Sequence, residues 1–369
     1  MKKSLISIAI LGALSNVAMA QSNVTLYGIV DAGITAERGG INGNVSKLTS
    51  GAASASRIGF KGTEDLGGGL SAIFKLEAGV KTDDGALDNS TVNGTSRLFN
   101  REAYVGLSSK TAGTLTLGRQ YTPYYETLRD VADPFAMGMA GTAKNLFPVG
   151  STSAVANVTT GTRNDNAVVY KTPGYAGFSA AVSYSLGEQA GDSGAQRQIG
   201  ASGSYSNGPL NVGIAYNTHN NDTATNPNFR NGHNTLVAVN YNFGVVKAFG
   251  AFGSNRGLNS SNVAVPNAYS TAVYNNSENT TNALIGLTAP VGPAGTVMAS
   301  YTRKNDKDPL NRDANQLAIG YSYALSKRTS TYVAFAKIDN KNGAAYTVGN
   351  NTESGTGDKA FNLGVKHSF

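Results

Sequence analysis

The sequence predicts an all-β fold, a 16-stranded antiparallel transmembrane β-barrel. Three observations carry that prediction. Apolar and polar residues alternate along one segment after another, as in KAFNLGVKHSF at 359–369, where Phe361, Leu363 and Val365 are separated by Asn362, Gly364 and Lys366. The segments are about nine to eleven residues long, the length with which a tilted strand crosses hydrocarbon. The connections between them are by turns short and long. No apolar run after the first residues approaches the roughly 18 that a membrane-spanning helix requires.

Composition agrees. The 369 residues include 45 Gly and 18 Tyr, no Cys and no Trp, and only 14% are charged, against about a quarter in soluble domains. Polarity comes instead from Asn, Ser, Thr and Gly, residues of turns and wetted strands. The opening MKKSLISIAILGALSNVAMA places Lys2 and Lys3 before an apolar stretch from Leu5 to Leu14 and ends on Ala18-Met19-Ala20, the three-part pattern of an export signal cut after Ala20. Residues 1–20 are thus expected to be a cleaved leader and 21–369 the barrel. In all, 30 Lys and Arg face 23 Asp and Glu, a formal +7, which becomes +5 once Lys2 and Lys3 leave. With no basic run, this balance argues against a nucleic-acid partner.

The strands read off in order. VTLYGIVDAGI opens the series. SRIGFKGTEDL and LSAIFKLEAG turn at Gly67-Gly68-Gly69, and FNREAYVGLSS and GTLTLGRQY turn near Lys110-Thr111-Ala112. NDNAVVYKTP and FSAAVSYSLG turn at Pro173-Gly174, and RQIGASGSYS and LNVGIAYNT at Asn207-Gly208-Pro209. NTLVAVNYNF and VKAFGAFG turn around Gly244, NALIGLTAP and GTVMASYTR at Gly292-Pro293, and NQLAIGYSYAL and RTSTYVAFAK at Ser326-Lys327. With the segment at 359–369 this makes about sixteen. Fourteen or eighteen stay compatible with the pattern, because boundaries read this way shift by a few residues. The other connections are long and polar, near 35–55, 80–97, 121–163, 187–196, 217–233, 254–281, 304–314 and 338–359. Short periplasmic turns at one end and long extracellular loops at the other are the asymmetry of an outer-membrane barrel.

Parity then assigns faces. Leu70, Ala72, Phe74 and Leu76 oppose Ser71, Lys75 and Glu77; Leu317, Ile319, Tyr321, Tyr323 and Leu325 oppose Gln316, Ala318, Gly320 and Ser322. Unpaired charges cannot fill a dry interior without a cost of several kcal/mol, so the polar face lines water and the apolar face meets lipid. Closure removes the strand edges that lipid cannot solvate. Tyr205, Tyr241, Phe243, Tyr321, Tyr323 and Phe369 sit beside the short turns, where an aromatic girdle belongs.

SNVTLYGIVDAGI, SRIGFKGTEDLGGGL, GRQYTP, the APVG turn, LSKRT and the closing GVKHSF resemble, in order along the chain, the Gram-negative general diffusion porins, particularly their betaproteobacterial trimeric branch. The resemblance implies a homotrimer seated in outer-membrane lipid and lipopolysaccharide. It also implies a final Phe read by the assembly machinery, a third loop folded into the lumen, and a water-filled channel through which ions and small hydrophilic solutes diffuse passively.

The third connection, about 121–163, is the longest, and YYETLRDVADPFAMGMAG carries Glu126, Asp130 and Asp133 with Pro134 and Gly138 to bend it. Loops of this length are functional or unstructured. An ordinary solvated loop is the alternative. The resemblance implies that these carboxylates form the acidic side of a constriction and that Arg57, Arg101 and Arg163 form the basic wall. Parity points Lys61, Lys75 and Glu77 into the lumen, which adds Lys61 and Lys75 to that wall and Glu77 to the acidic side. Arg101 shares the parity of Val105 and Leu107, which is the lipid side unless a bulge intervenes; Arg119 has the same conflict with Leu115 and Leu117 and is assigned to the rim.

A transverse field between such walls orders water and biases ion passage, and the positive balance favours anions. An enzyme requires a nucleophile, base and orienting group. The three histidines, His219, His233 and His367, suggest no such set, and neither catalytic residues, a metal site nor a cofactor is expected. The competing reading is a substrate-specific channel for one anionic or sugar-like solute class, for which Tyr27, Tyr104, Tyr124 and Tyr125 are the aromatics to watch.

Overall fold

A computed structural model describes residues 23–88, 91–92, 95–149, 161–223, 231–258, 260–261 and 278–369. The expected leader at 1–20 lies outside these residues, as do parts of the long connections at 80–97, 121–163, 217–233 and 254–281.

Alternating segments become strands because the period of two puts every second side chain on one face. They are β1 (Asn23–Gly40), β2 (Gly43–Ser50), β3 (Arg57–Gly67), β4 (Leu70–Gly79), a small separate hairpin β5 (Thr91–Val92) and β6 (Thr95–Ser96), β7 (Glu102–Ser109), β8 (Gly113–Tyr121) and β9 (Arg163–Lys171). Then follow β10 (Phe178–Ser185), β11 (Gln198–Asn207), β12 (Leu210–His219), β13 (Gly232–Asn242) and β14 (Lys247–Arg256). The series ends with β15 (Asn279–Val291), β16 (Gly295–Asp306), β17 (Ala314–Ala324), β18 (Thr329–Asn340) and β19 (Lys359–Ser368).

Apart from β5 and β6, the strands from β3 to β19 pair antiparallel in sequence order, with β4 joined to β7; β1 pairs with both β2 and β3, and with β19 from Ile29↔Ser368 to Arg38↔Lys359, which closes the sheet. β2 and β3 share one place beside β1: β3 covers Asn23–Ile29, and β2 covers Ala32–Gly40. The closed ring therefore has sixteen positions, and β2 is the additional strand. Here the structure corrects the sequence reading. The connection expected as a loop at 35–55 continues as a hairpin to Ser50, because backbone pairing does not require apolar side chains.

The short turns lie at one end. Gly67, Gly68 and Gly69 all have φ between 60° and 84°, a conformation open to glycine and costly for other residues. Outward parity places Val105, Leu107, Leu115, Leu117, Ile285, Leu317 and Ile319 on an exposed apolar band. At the short-turn end Phe178 packs tilted against Tyr205 and Tyr241 against Phe243, with ring centroids 4.5 and 4.6 Å apart. Phe369 exchanges backbone hydrogen bonds with Gly28, both 3.1 Å, and its ring lies where a Cβ on residue 28 would stand.

The apolar core is off-centre. It forms where the third connection packs on the inner wall. That connection starts with the short helix α1 (Pro123–Thr127), capped by Thr122, and continues through a wide turn at Leu128–Ala132. It buries Tyr124, Leu128, Ala132, Phe135, Leu146 and Phe147 against inward-facing Ala215, Leu236, Ala238, Leu284, Ala318 and Ala336. Glycine and alanine at inward positions of β12–β18 make that wall smooth enough for a second layer. A Cβ on Gly213 would come within 2.8 Å of the Thr127 methyl.

Polar groups fix the register of the packed loop. Asn234 donates to Asn255, Asn255 to Asn282, and Asn282 to the Leu146 carbonyl, at 2.8, 2.7 and 2.8 Å. Gln316 accepts from Asn145 at 2.7 Å.

Candidate functional site

With the third connection covering the inner wall of β12–β18, the remaining space is bounded by β1, β3, β4 and β7–β9. Glu77 on β4 organises this side. Its carboxylate is 1% exposed, accepts from Arg101 Nε at 2.7 Å and from Tyr27 OH at 2.8 Å, and lies 3.7 Å from both Arg57 Nη1 and Lys75 Nζ. Glu102, at the start of β7, pairs with Lys75. Three cations thus meet two buried carboxylates, with Glu77 common to all three and Glu102 paired with Lys75, which holds them together without full neutralisation.

Tyr121 ends β8 and orders the second group. Its hydroxyl accepts from Arg101 Nη2 at 2.7 Å and from Arg163 Nη2. The Arg163 guanidinium lies 4.2 Å from the Tyr121 ring centre, and Tyr121 stacks on Tyr125 with centroids 5.1 Å apart. From the loop side Arg129 reaches over both rings, at 5.3 and 5.7 Å, distances at which a cation is held by the aromatic face. Lys144, half-buried in the same connection, donates to the Asn351 carbonyl at 2.6 Å. Burial, with Arg163 adding to it, pulls its ammonium down from 10.5 to about 8.

These groups surround one cavity of about 270 Å³, lined by Arg57, Arg101, Arg129, Lys144 and Arg163 with Tyr121 and Tyr125. Asp88 is the one carboxylate lining it among the described residues. Five cations against one carboxylate leave the cavity strongly positive.

The expected site residues are therefore only partly brought together. Arg57, Arg101 and Arg163 meet at this cavity. Arg101 reaches it although its parity points to lipid, because it lies just before β7 begins and is not bound by the strand's alternation. Arg119 stays apart: it pairs with Asp165 at 2.7 Å, as does Arg97 at 2.8 Å. Lys75 stands behind the ring with Glu77 and Glu102. Lys61 is exposed, directly across from Lys75 on the paired strand, with its ammonium 5.4 Å from the Tyr27 ring centre.

The acidic residues require corrections. Glu77 belongs to the basic wall, not opposite it. Asp133 is 3% exposed and accepts the backbone N–H groups of Phe135, Met137 and Ala143 at 2.9, 2.9 and 3.0 Å. It ties the loop's own bend and does not face the passage. Burial pushes its carboxyl up to about 6, and the three N–H bonds oppose that rise.

Glu126 pairs with Lys171 at 2.7 Å, and Asp130 pairs with Arg129 at 2.6 Å. Both carboxylates line a different cavity, of about 310 Å³, with Lys171, Ser179, Ser202 and Ser204. Arg129 and Asp130 are neighbours in sequence but serve opposite faces of the loop. Sequence reasoning missed Arg129, Lys144, Glu102 and Tyr121. Arg129 stood inside the very stretch read for its acids. His219, expected in a solvated loop, is fully buried at the end of β12.

Comparison with known proteins gives a consistent answer. Residues 7–344 match the family model of the Gram-negative porins. An outer membrane porin protein of Bordetella pertussis is 31% identical over 90% of this chain and 93% of its own. Outer membrane porin protein 32 of Delftia acidovorans is 31% identical over the whole of both chains. The solved structure of an anion-selective porin from Comamonas acidovorans superposes with a TM-score of 0.76 at 29% identity, covering 95% of this chain and 100% of that one.

Proposed function

The chain belongs to the Gram-negative porins of the outer membrane, and from that premise we propose that its channel passes small hydrophilic solutes by passive diffusion with a preference for anions. The observation that carries the preference is the cavity ringed by Arg57, Arg101, Arg129, Lys144 and Arg163, with Asp88 its one lining carboxylate among the described residues. A narrow aqueous passage between low-dielectric walls focuses such a charge sum, which raises the local anion concentration and repels cations. The lining cations keep their positions because their counter-charges lie behind them: Glu77 for Arg57 and Arg101, and Asp130 for Arg129. No binding cycle is needed. A solute sheds part of its hydration shell, exchanges it for guanidinium N–H groups and leaves by the same exchange.

In this reading the third connection, about 121–163, is the constriction loop, and residues 1–20 are the leader removed on export. The protein works as a homotrimer in contact with lipid and lipopolysaccharide. Similarity to an anion-selective porin supports the sign of the selectivity.

Purified protein in a planar bilayer tests the reading. Conductance steps that cluster in threes and rise in proportion to salt are expected. Conductance that saturates with one solute indicates a substrate-specific channel instead, and a lack of conductance removes the channel assignment.

A further inference from the structure

The constriction is built from segments far apart in sequence, and something has to hold them at a fixed separation. Arg57 stands at the start of β3, after the chain has crossed inward through 51–56. Lys144 stands in the third connection. The two segments meet through the Met139 N–H, which donates to the Ala52 carbonyl at 2.7 Å, and the eighth connection adds further bonds to both. The eighth connection, 341–358, reaches into the barrel and buries Ala345, Tyr346 and Val348. At its inner end lies Asn351.

Every hydrogen-bonding group of Asn351 except one amide hydrogen is used across segments. Its side-chain oxygen accepts the Ala55 N–H at 3.0 Å, and its side-chain nitrogen donates to the Met137 carbonyl at 2.9 Å. Its backbone N–H donates to the Ala52 carbonyl at 3.2 Å, and its backbone carbonyl accepts from Lys144 Nζ at 2.6 Å. Ala55 passes the constraint on, since its own carbonyl accepts from Arg57 Nε at 3.0 Å. One residue therefore connects to Arg57 on the wall side and to Lys144 on the loop side.

We propose that Asn351 is the positioning residue of the constriction, the clamp that holds the wall-side and loop-side cations at one separation and gives the channel a single open geometry. This rests on the reading of the cavity as the narrow point of a diffusion channel. Asn351 lines that cavity, but it acts here through Ala55, Met137 and Lys144. An amide suits the task because it offers an acceptor and a donor at once. Alanine offers neither, and an aspartate keeps the acceptor for Ala55 while losing the donor for Met137. The outer part of the same connection is held by Lys47, which pairs with Glu37 at 2.9 Å and with Glu353 at 2.8 Å. The clamp is thus carried on a strap anchored at the barrel mouth.

Single-channel recording of the full-length protein tests this, with heat-resistant oligomer on a gel as the check on folding. Asn351→Ala is expected to break the single open level into several, with the time spent outside the main level rising about fivefold, the factor that one hydrogen bond's net stabilisation sets. Its anion-over-cation permeability ratio should fall at the same time. Asn351→Asp should show the same added levels, because it loses the Met137 bond and sets an acceptor-only carboxylate against the Met137 carbonyl. Asn342→Gly, in the same connection, removes a bond to the Asn311 carbonyl of the neighbouring connection, and it should record like the parent. Quiet, parent-like recordings from a folded Asn351→Ala or Asn351→Asp channel overturn the proposal. If the alanine variant does not assemble, the aspartate variant decides alone. A parent protein that does not conduct defeats the channel reading, whereas a conducting parent with indifferent variants defeats only the clamp.

Discussion

Arg163 shows what a single side chain does here. It sits over the Tyr121 ring, shares the tyrosine hydroxyl with Arg101 and lines the cavity. A unit charge about 4 Å from a permeant ion is worth about 1 kcal/mol even at the dielectric constant of water. Arg163→Gln should therefore lower the anion-over-cation permeability ratio by about fivefold in bi-ionic potential measurements, with the barrel still folded. Lys144 adds a pH dependence. Its ammonium, pulled from 10.5 to about 8 by burial and by Arg163, is charged below that pH and neutral above it. Anion preference should decline as pH rises from 7 to 9, and Lys144→Met should remove the decline. Stability moves the other way: between about 8 and 10.5 the folded protein binds fewer protons than the unfolded chain, so folding gains as pH rises through that window. At this scale parity made Arg57, Lys75 and Glu77 legible, since each lies inside a regular strand. Asp133 was illegible because a carboxylate on a loop reads the same whether it faces water or collects three backbone N–H groups. Arg129 and Lys144 were illegible because which face of a loop a residue serves depends on what the loop packs against.

The element that decides the passage is the third connection, and its position depends on the wall it packs on. Inward-facing Gly213, Ala215, Ala238 and Ala318 leave room for α1 and the segments after it, and the relay from Asn234 through Asn255 and Asn282 fixes them. Gly213→Leu should push Thr127 and Val131 off the wall. An overpacked contact of this kind costs about 1–3 kcal/mol. Limited proteolysis should then cut within 121–149 while the barrel resists; an uncut loop contradicts the packing account. In the sequence these positions looked like ordinary lumen residues, small and uncharged, and nothing marked them as a docking surface. The strands themselves were legible almost in full, because a period of two repeated over many segments is a strong signal. The first connection was not. Residues 35–50 carry little apolar alternation, yet they pair along β1 because the neighbouring edge offers unpaired backbone groups.

For the whole molecule the inside and outside follow from one rule applied around the ring. Apolar side chains point out to form a band that ends in aromatics near the short turns, and β1 meets β19 so that the ring closes. Packing on one inner wall pushes the aqueous space toward the other, where strand ends and the third connection place the arginines together. The net positive charge of the chain, +7 over all 369 residues, does not by itself set selectivity; the local sum at the cavity does. Reversal potential across a KCl gradient reads that sum directly. With the cation ring at the narrow point, the potential should take the sign of a chloride-preferring channel and move toward zero as salt screens the ring. A potential of the opposite sign, in the parent protein at neutral pH, would contradict the assignment of Arg57, Arg101, Arg129, Lys144 and Arg163 to the passage.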